Sequence, residues 1–425
     1  MVMIIYESSF MKSDSRVGQS ATKLGRLAAN LIVLSLFVLS LHSCQQSAST
    51  PQPYDVAAYI WPAFHDDARW HEINLFPDGK GEWESIYNAE PKFEGHRQPR
   101  TPLWGYFDEA DPKMQEKIID TATEYGVNTF IFDWYWYDNK PFLEAPLNAF
   151  LKARNTDKMK FYLMWANHTA NSYWDRHEPD KSKVYWHGEV SREIFDGFTD
   201  HLIDDYFRQP NYYRIDGKPV FAIYELSTFI DGLGGMKQAK KALEDFRNKC
   251  VAAGLPGLHL QAILWGQIPA TLDGVPGDAN ATQNNTIDYL GFNSLTNYQW
   301  CHFIPLKEYE AWGEEATAKY EQFASDFTVP YFAHVSVDWD NNPRFPGKKP
   351  QTAVTGVTPE KFKKFLLKAK QFADNHPQQT PLVTINAWNE WSEGSYLEPD
   401  TEYGYGFLQA VKDVFLKTPA AGNQP

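Results

Sequence analysis

Two carboxylates three residues apart, Glu390 and Glu393, stand in Thr384-Ile-Asn-Ala-Trp-Asn-Glu-Trp-Ser-Glu-Gly394, at the end of an apolar run and among Trp388, Asn389 and Trp391. Aromatic rings offer flat apolar surface to the C–H faces of a pyranose. One carboxylate can protonate a departing oxygen while the other handles the opposite proton or the anomeric carbon. The same residues would equally suit a surface loop with two solvated acids and packing tryptophans, so the rest of the chain has to decide.

Composition narrows the choice. Aromatics make up 16% of the 425 residues and include 15 Trp, more than a core needs, as in proteins that stack sugars, although a Trp-rich core is the competing explanation. A net charge of −14 argues against nucleic acids and anionic glycans as partners, because nothing would neutralise them. Cys250 and Cys301 are too few for a disulfide framework and form no CxxC or Cys/His cluster, so no metal and no cofactor is expected, and a single bridge between them stays open.

The elements that must position the acid pair follow from periodicity. Strand-like runs fall at 56–60, 129–134, 160–165, 219–224, 259–265, 289–293, 331–337 and 382–387, with helical patterns at 112–125, 143–154, 189–207, 236–253, 306–327, 359–375 and 402–416. Residues 268–286 are rich in Gly, Asn and Pro and read as loop. This cadence predicts an α/β fold, a (β/α)8 TIM barrel with a long insertion between the first strand and first helix; a doubly wound open sheet is the alternative.

In a parallel barrel the strand ends share one mouth. The residues there are Trp61, Asp133, Trp136, Trp165, Asn167, Glu225, Trp265, Asn293, Asp338, Trp339, Asn389 and Trp391. They are the candidate glycan contacts, Trp61 and Trp339 as stacking platforms. An ion pair with Arg214 or Lys218 is the competing role for Glu225. The insertion, 66–111, contains Gly81-Glu-Trp83 and Phe93-Glu-Gly-His-Arg-Gln-Pro99. Its aromatics favour an ordered lid over the mouth, with His96 either a contact for a sugar hydroxyl or a loop-stabilising group.

At the N-terminus Lys23 and Arg26 precede an apolar run, 27–41, too short for the ~20 residues of a comfortable membrane span. It ends in Leu41-His-Ser-Cys44, which resembles a bacterial lipoprotein signal. The expected organisation is a signal peptide, 1–44, with Cys44 lipidated, a flexible tether, 45–53, a hydrolase-like domain, 54–418, and a tail, 419–425. Such a protein would be exported and anchored to the outer membrane, periplasmic or at the cell surface. A cleaved secretory signal without lipid is the alternative.

Several motifs carry a family resemblance: Pro91-x-Phe-x-Gly-His-x-Gln-Pro99, Asp111-Pro112, Asp133-Trp-Tyr-Trp-Tyr137 with Leu143-Glu-x-Pro-Leu147, Trp165-Ala-Asn167, the segment 386–394, and Leu397-Glu-Pro399. Together they resemble the WbsX-like proteins, relatives of the endo-α-mannosidases of glycoside hydrolase family 99, from about Tyr54 to Leu416. The resemblance implies a (β/α)8 barrel, no metal and an α-glycan substrate such as an α-mannoside or α-rhamnoside in a polysaccharide. It also implies retaining hydrolysis through a 1,2-anhydro sugar, with Glu390 as base on the 2-hydroxyl and Glu393 as acid. The competing readings are a glycosyltransferase of polysaccharide synthesis, since WbsX-like proteins commonly carry that label, and a non-catalytic glycan-binding lipoprotein. A monomer is expected.

Overall fold

The computed structural model describes residues 53–265 and 268–416. The signal peptide with Cys44, the tether up to residue 52, residues 266–267 and the tail lie outside the described residues. Eight parallel strands form the centre: β1 Asp55–Ile60, β2 Thr129–Tyr137, β3 Lys160–Trp165, β4 Lys218–Ile223, β5 His259–Ile263, β6 Ser294–Thr296, β7 His334–Ser336 and β8 Leu382–Asn386. Their spatial order is β6-β5-β4-β3-β2-β1-β8-β7. The last gap closes just before β7, where Leu295 N donates to Pro330 O at 2.9 Å and Phe332 N donates to Leu295 O at 2.8 Å. A (β/α)8 barrel results.

Strands covered on both faces read as unbroken apolar runs, and β5 and β8 are buried at every residue. The barrel interior is nonetheless polar. Tyr162 Oη donates to Gln261 Oε1 at 3.0 Å, and Thr384 Oγ1 meets both Thr296 Oγ1 and His334 Nδ1 at 2.9 Å. Every such group needs a partner away from water, so this network fixes side-chain positions beneath the mouth.

The outer helices are α1 Pro112–Glu124, α2 Ala145–Lys152, α3 Arg192–His201, α4 Met236–Ala252, α5 Gln283–Leu290, α6 Tyr309–Thr317, α7 Pro359–Asn375 and α8 Gly406–Phe415. Sequence chemistry sets their starts: Asp111 caps α1 by accepting from Lys113 N at 2.9 Å, with Pro112 in the first turn, and Thr358 caps α7 in the same way through Lys361 N. Among the described residues no helix is long and apolar enough to cross a membrane. Cys250 and Cys301 are both free.

Two expectations are corrected. Residues 289–293 are not the sixth strand. Thr282 caps a helix by accepting from Asn285 N, and Gly291, at φ 75°, ends it in the left-handed conformation that favours glycine. Ile287 and Leu290 are the buried face of α5, the strand starts at Ser294, and the supposed loop 268–286 gives its last residues to the helix. The insertion is ordered but is not a lid, because none of residues 66–111 lines the central cavity. Its hydrogen bonds go sideways to the loops after β7 and β8: Arg100 Nη1 donates to Gly394 O at 2.8 Å and Leu103 N to Pro399 O at 2.8 Å. It buttresses the rim. The loop after β3, with Thr169, Asn171 and Tyr173, supplies the wall expected of the lid.

Candidate active site

The loop after β8 is fastened from behind. Trp388 N donates to Tyr59 O at 2.8 Å. The Asn389 amide is latched to the end of β1, accepting from Trp61 N and donating to Trp61 O, both at 2.8 Å. The indoles of Trp388 and Trp391 donate to the two oxygens of Glu398 at 2.9 and 2.7 Å, and Trp391 stacks on Tyr396 with ring centres 3.7 Å apart. With its neighbours committed to packing, the loop turns Glu390 and Glu393 into a cavity of about 510 Å³ at the barrel mouth.

Four carboxylates and one guanidinium dominate that cavity: Asp133, Glu225, Glu390, Glu393 and Arg344. Tyr298 Oη lies 2.8 Å from both Asp133 Oδ2 and Glu390 Oε2. A hydroxyl has a single proton to give, so Tyr298 donates to one acid and the other must carry a proton to complete its contact. Electrostatics agrees: burial pushes Asp133 well up, and burial with Glu393 alongside pushes Glu390 well up. The other Asp133 oxygen, Oδ1, is buried without a partner, as an acceptor for a ligand hydroxyl would be.

Glu393 has different company. Burial raises it as well, but Arg344 and a hydrogen bond from Glu390 pull the other way. Arg344 Nη1 donates to Glu393 Oε1 at 2.5 Å, and Nε donates to Glu82 Oε1 at 2.7 Å. Glu82 is fully buried and also accepts from Trp61 Nε1 and, at 2.7 Å, from Ser392 Oγ. Arg344 therefore holds the Glu393 carboxyl back from the full effect of burial, and Glu390 is the more strongly raised of the two.

Of the residues expected at the mouth, Trp61, Asp133, Glu225, Trp265 and Trp339 line this cavity with the acid pair. Glu225 accepts from Thr228 Oγ1 at 2.6 Å, not from Arg214 or Lys218. The others are placed elsewhere. Trp136 and Trp165 fall on the outward parity of β2 and β3 and pack under α3 against Phe198. Asn167 is spent on the Glu225 backbone, accepting from its N at 2.8 Å and donating to its O at 2.7 Å. Asn293 lies at the opposite end of the barrel, where its Oδ1 accepts from Leu260 N at 2.9 Å. Asn389 and Trp391 hold the loop from behind.

His96 and Asp338 sit in a separate, smaller cavity beside the rim, His96 Nε2 at 2.8 Å from Asp340 and Asp338 accepting from Arg100 at 2.8 Å. His96 is thus a loop-stabilising group. Among the residues that went unnamed as candidates, Tyr298 and Arg344 hydrogen-bond the acid pair directly, and Glu82 stands behind Arg344. Tyr298 follows β6, whose misplacement hid it, and Glu82 lay in view within Gly81-Glu-Trp83 without a visible partner. Arg344, in a polar loop after β7, had no signal.

The family model described as "Glycosyltransferase WbsX" matches residues 56–411. The chain belongs to the WbsX family. Its curated relatives include the uncharacterized protein WxcX from two strains of Xanthomonas campestris pv. campestris, B100 and ATCC 33913, each 28% identical over 391 residues. That match covers 89% of this chain and 52% of the relative, so the chain spans about half the length of those proteins. Among solved structures, the GH99 endo-alpha-mannosidase from Bacteroides thetaiotaomicron superposes with a TM-score of 0.55 at 12% identity, covering 85% of this chain and 96% of that one. A glycoside hydrolase-like protein gives 0.55 at 15% identity, covering 88% and 97%. These likenesses carry the fold alone, a (β/α)8 TIM barrel.

Among the described residues no group of three or more His, Cys, Asp or Glu is placed to hold a metal ion. What this WbsX site offers is proton transfer: adjoining buried carboxyls that share a proton, a tyrosine that relays to a third, and a guanidinium that holds one of them back from the full effect of burial.

Proposed function

We propose that this protein is a glycoside hydrolase that cleaves α-glycosidic bonds, of the α-mannoside or α-rhamnoside type, in an exported context. The observation that carries this reading is the convergence of Glu390 and Glu393 on one cavity that Trp61, Trp265 and Trp339 also line. The glycan lies against these rings. Glu390 accepts the proton of the 2-hydroxyl as its oxygen attacks the anomeric carbon, forming a 1,2-anhydro sugar, while Glu393 protonates the departing oxygen. Water then attacks the anomeric carbon with Glu393 as base, the C1–O2 bond breaks and Glu390 returns its proton to O2, which gives net retention. In this mechanism Glu390, the more strongly raised acid, must be ionised and Glu393 protonated when a 2-hydroxyl is bound beside Glu390.

The family description favours a second reading, a glycosyltransferase. The cavity charge speaks against a nucleotide-sugar donor. Four carboxylates line it, and its guanidinium is already neutralised by Glu82 and Glu393, leaving no cation among the described residues for a diphosphate. The deciding experiment follows product stereochemistry by NMR on α-linked polysaccharides, alongside incubation with nucleotide sugars. Transfer from a nucleotide sugar without hydrolysis would defeat the proposal. In the hydrolase reading, Glu393→Gln loses turnover while sugar affinity is largely kept. Export and acylation at Cys44 belong to the same proposal, and fatty-acid labelling that persists in Cys44→Ala would remove that part alone.

A further inference from the structure

The motif Gly81-Glu-Trp83 of the first insertion does not reach the cavity. Glu82 stands behind its wall, fully buried, and four donors converge on its side chain. Arg344 grips it with two nitrogens, Nε to Oε1 at 2.7 Å and Nη2 to Oε2 at 3.4 Å; Ser392 Oγ donates to Oε2 at 2.7 Å, and so does Trp61 Nε1. Guanidinium and indole N–H groups can only donate, so both oxygens are acceptors and Glu82 is a carboxylate. Its place is fixed by Gly81, at φ 56°, where a Cβ would strike the carbonyl oxygens of Ala63 and His65, and by Glu82 N donating to Ala63 O at 2.9 Å.

The donors come from three parts of the site. Trp61 follows β1 and lines the cavity, Ser392 lies between the two acids on the loop after β8, and Arg344 comes from the loop after β7. Arg344 spends two nitrogens on Glu82 and one, Nη1, on Glu393 at 2.5 Å. One positive charge thus answers two carboxylates, and Glu82 takes the larger share. Glu393 must hold a proton to act as acid, whereas a guanidinium at hydrogen-bond distance favours its ionised form. The negative charge of Glu82 opposes that pull. The other titratable groups around Glu393 are Glu390 on its own loop, Asp133 on β2, Tyr173 after β3, Tyr224 after β4, and Tyr298 and Cys301 after β6. Burial raises the three phenols and the thiol, so those four bring no charge near neutral pH.

We propose that Glu82 is a positioning residue for the acid: it takes up the charge of Arg344 so that Glu393 can carry the proton given to the departing oxygen, and it ties Trp61 and the acid-bearing loop to the same point. The role of Glu393 rests on the hydrolase reading. The action of Glu82 on Glu393 holds without any glycan, so the two can fail separately.

The test uses the full chain carrying Glu390→Gln, which leaves Glu393 to titrate without its coupled partner. NMR follows the side-chain carboxyl carbons of isotope-labelled glutamate, and the Glu393 signal is identified by its loss when Glu393→Gln is added. Adding Glu82→Gln should lower the Glu393 midpoint by about one pH unit. Glu82→Asp keeps the charge but draws it back from the guanidinium, so the midpoint should fall by less; this variant carries the test alone where the amide does not fold. A midpoint that stays or rises in the folded variants overturns the proposal. So does weaker binding of methyl α-mannoside with the titration unmoved, the result of a Glu82 that only props Trp61. In the otherwise unaltered protein, turnover needs Glu393 protonated and is lost as pH rises, so Glu82→Gln should move the alkaline limb of kcat to lower pH by a similar amount. Absence of hydrolysis by the unaltered protein, with the midpoint shifted as expected, defeats the hydrolase reading alone.

Discussion

Glu390 and Glu398 are carried by one loop and are almost equally buried, 4% and 2% exposed, yet their surroundings give them opposite uses. Both oxygens of Glu398 accept an indole N–H, from Trp388 and Trp391. Behind it lies a second buried acid, Glu109, which accepts from the Asn389 amide. Glu390 faces the other way, into the cavity, sharing a tyrosine hydroxyl with Asp133 and a proton with Glu393. The rear carboxylate has its acceptors filled and holds the loop; the front one is left able to exchange a proton. Position on the loop, not residue type, separates structural from reactive acids, and the fixed rear face keeps the front aligned.

The comparison can be broken by substitution. Glu390→Gln should cost the most, about 10²–10⁴-fold in turnover with near-normal thermal stability, measured as kcat and as a melting midpoint. If turnover survives, the front acid is not doing chemistry. Arg344→Met should come next, because it strands Glu82 without its counter-charge; about 3–5 kcal/mol of stability is the scale for such a loss. Denaturant unfolding reads it, and a stability unchanged within error would show that the Glu82–Arg344 pair does not hold the rim.

Glu398→Gln should cost about 1–3 kcal/mol, since an amide cannot accept from both indoles. It should lower kcat more than it raises KM, because the loop that carries the front pair loses its anchor. It has a pH signature too. Burial raises Glu398 from 4.5 to about 8, so between those values the folded chain holds a proton that the unfolded chain has lost. Its contribution to stability is complete below pH 4.5 and disappears as pH rises to about 8. The melting midpoint of the unaltered protein should fall across that window, and less so in Glu398→Gln; identical slopes would show that Glu398 does not titrate there. Tyr298→Phe should have the smallest effect, about 0.5–1.5 kcal/mol. Where the hydroxyl donates to Glu390 it lowers that acid, so without it the activity limb governed by Glu390 should move to higher pH, and a shift to lower pH would contradict the assignment.

Much of this arrangement was legible in the residues. The barrel followed from eight apolar runs between helical patterns, and the strand-end rule put Trp61, Asp133, Glu225, Trp265 and Trp339 on one cavity with the acid pair. Parity was not legible at β2 and β3. Strands buried on both faces show no alternation, so Asp133 and Trp136 looked alike, though one faces the cavity and the other lies under α3. The sixth strand is too short to stand out beside the apolar face of α5. Partners distant in sequence, such as Glu82 for Arg344 or Glu398 for Trp388, are set by the wrapped barrel and leave no trace in local spacing.

The Glu82–Arg344 pair also sets an order of assembly. During synthesis the anion emerges with the first loop and its cation only with the seventh. Until then the segment that holds Trp61 encloses a charge with nothing to answer it, which disfavours early closure. A polypeptide stopped before residue 344 would leave that charge unanswered, and the strand that carries the acid pair follows only later.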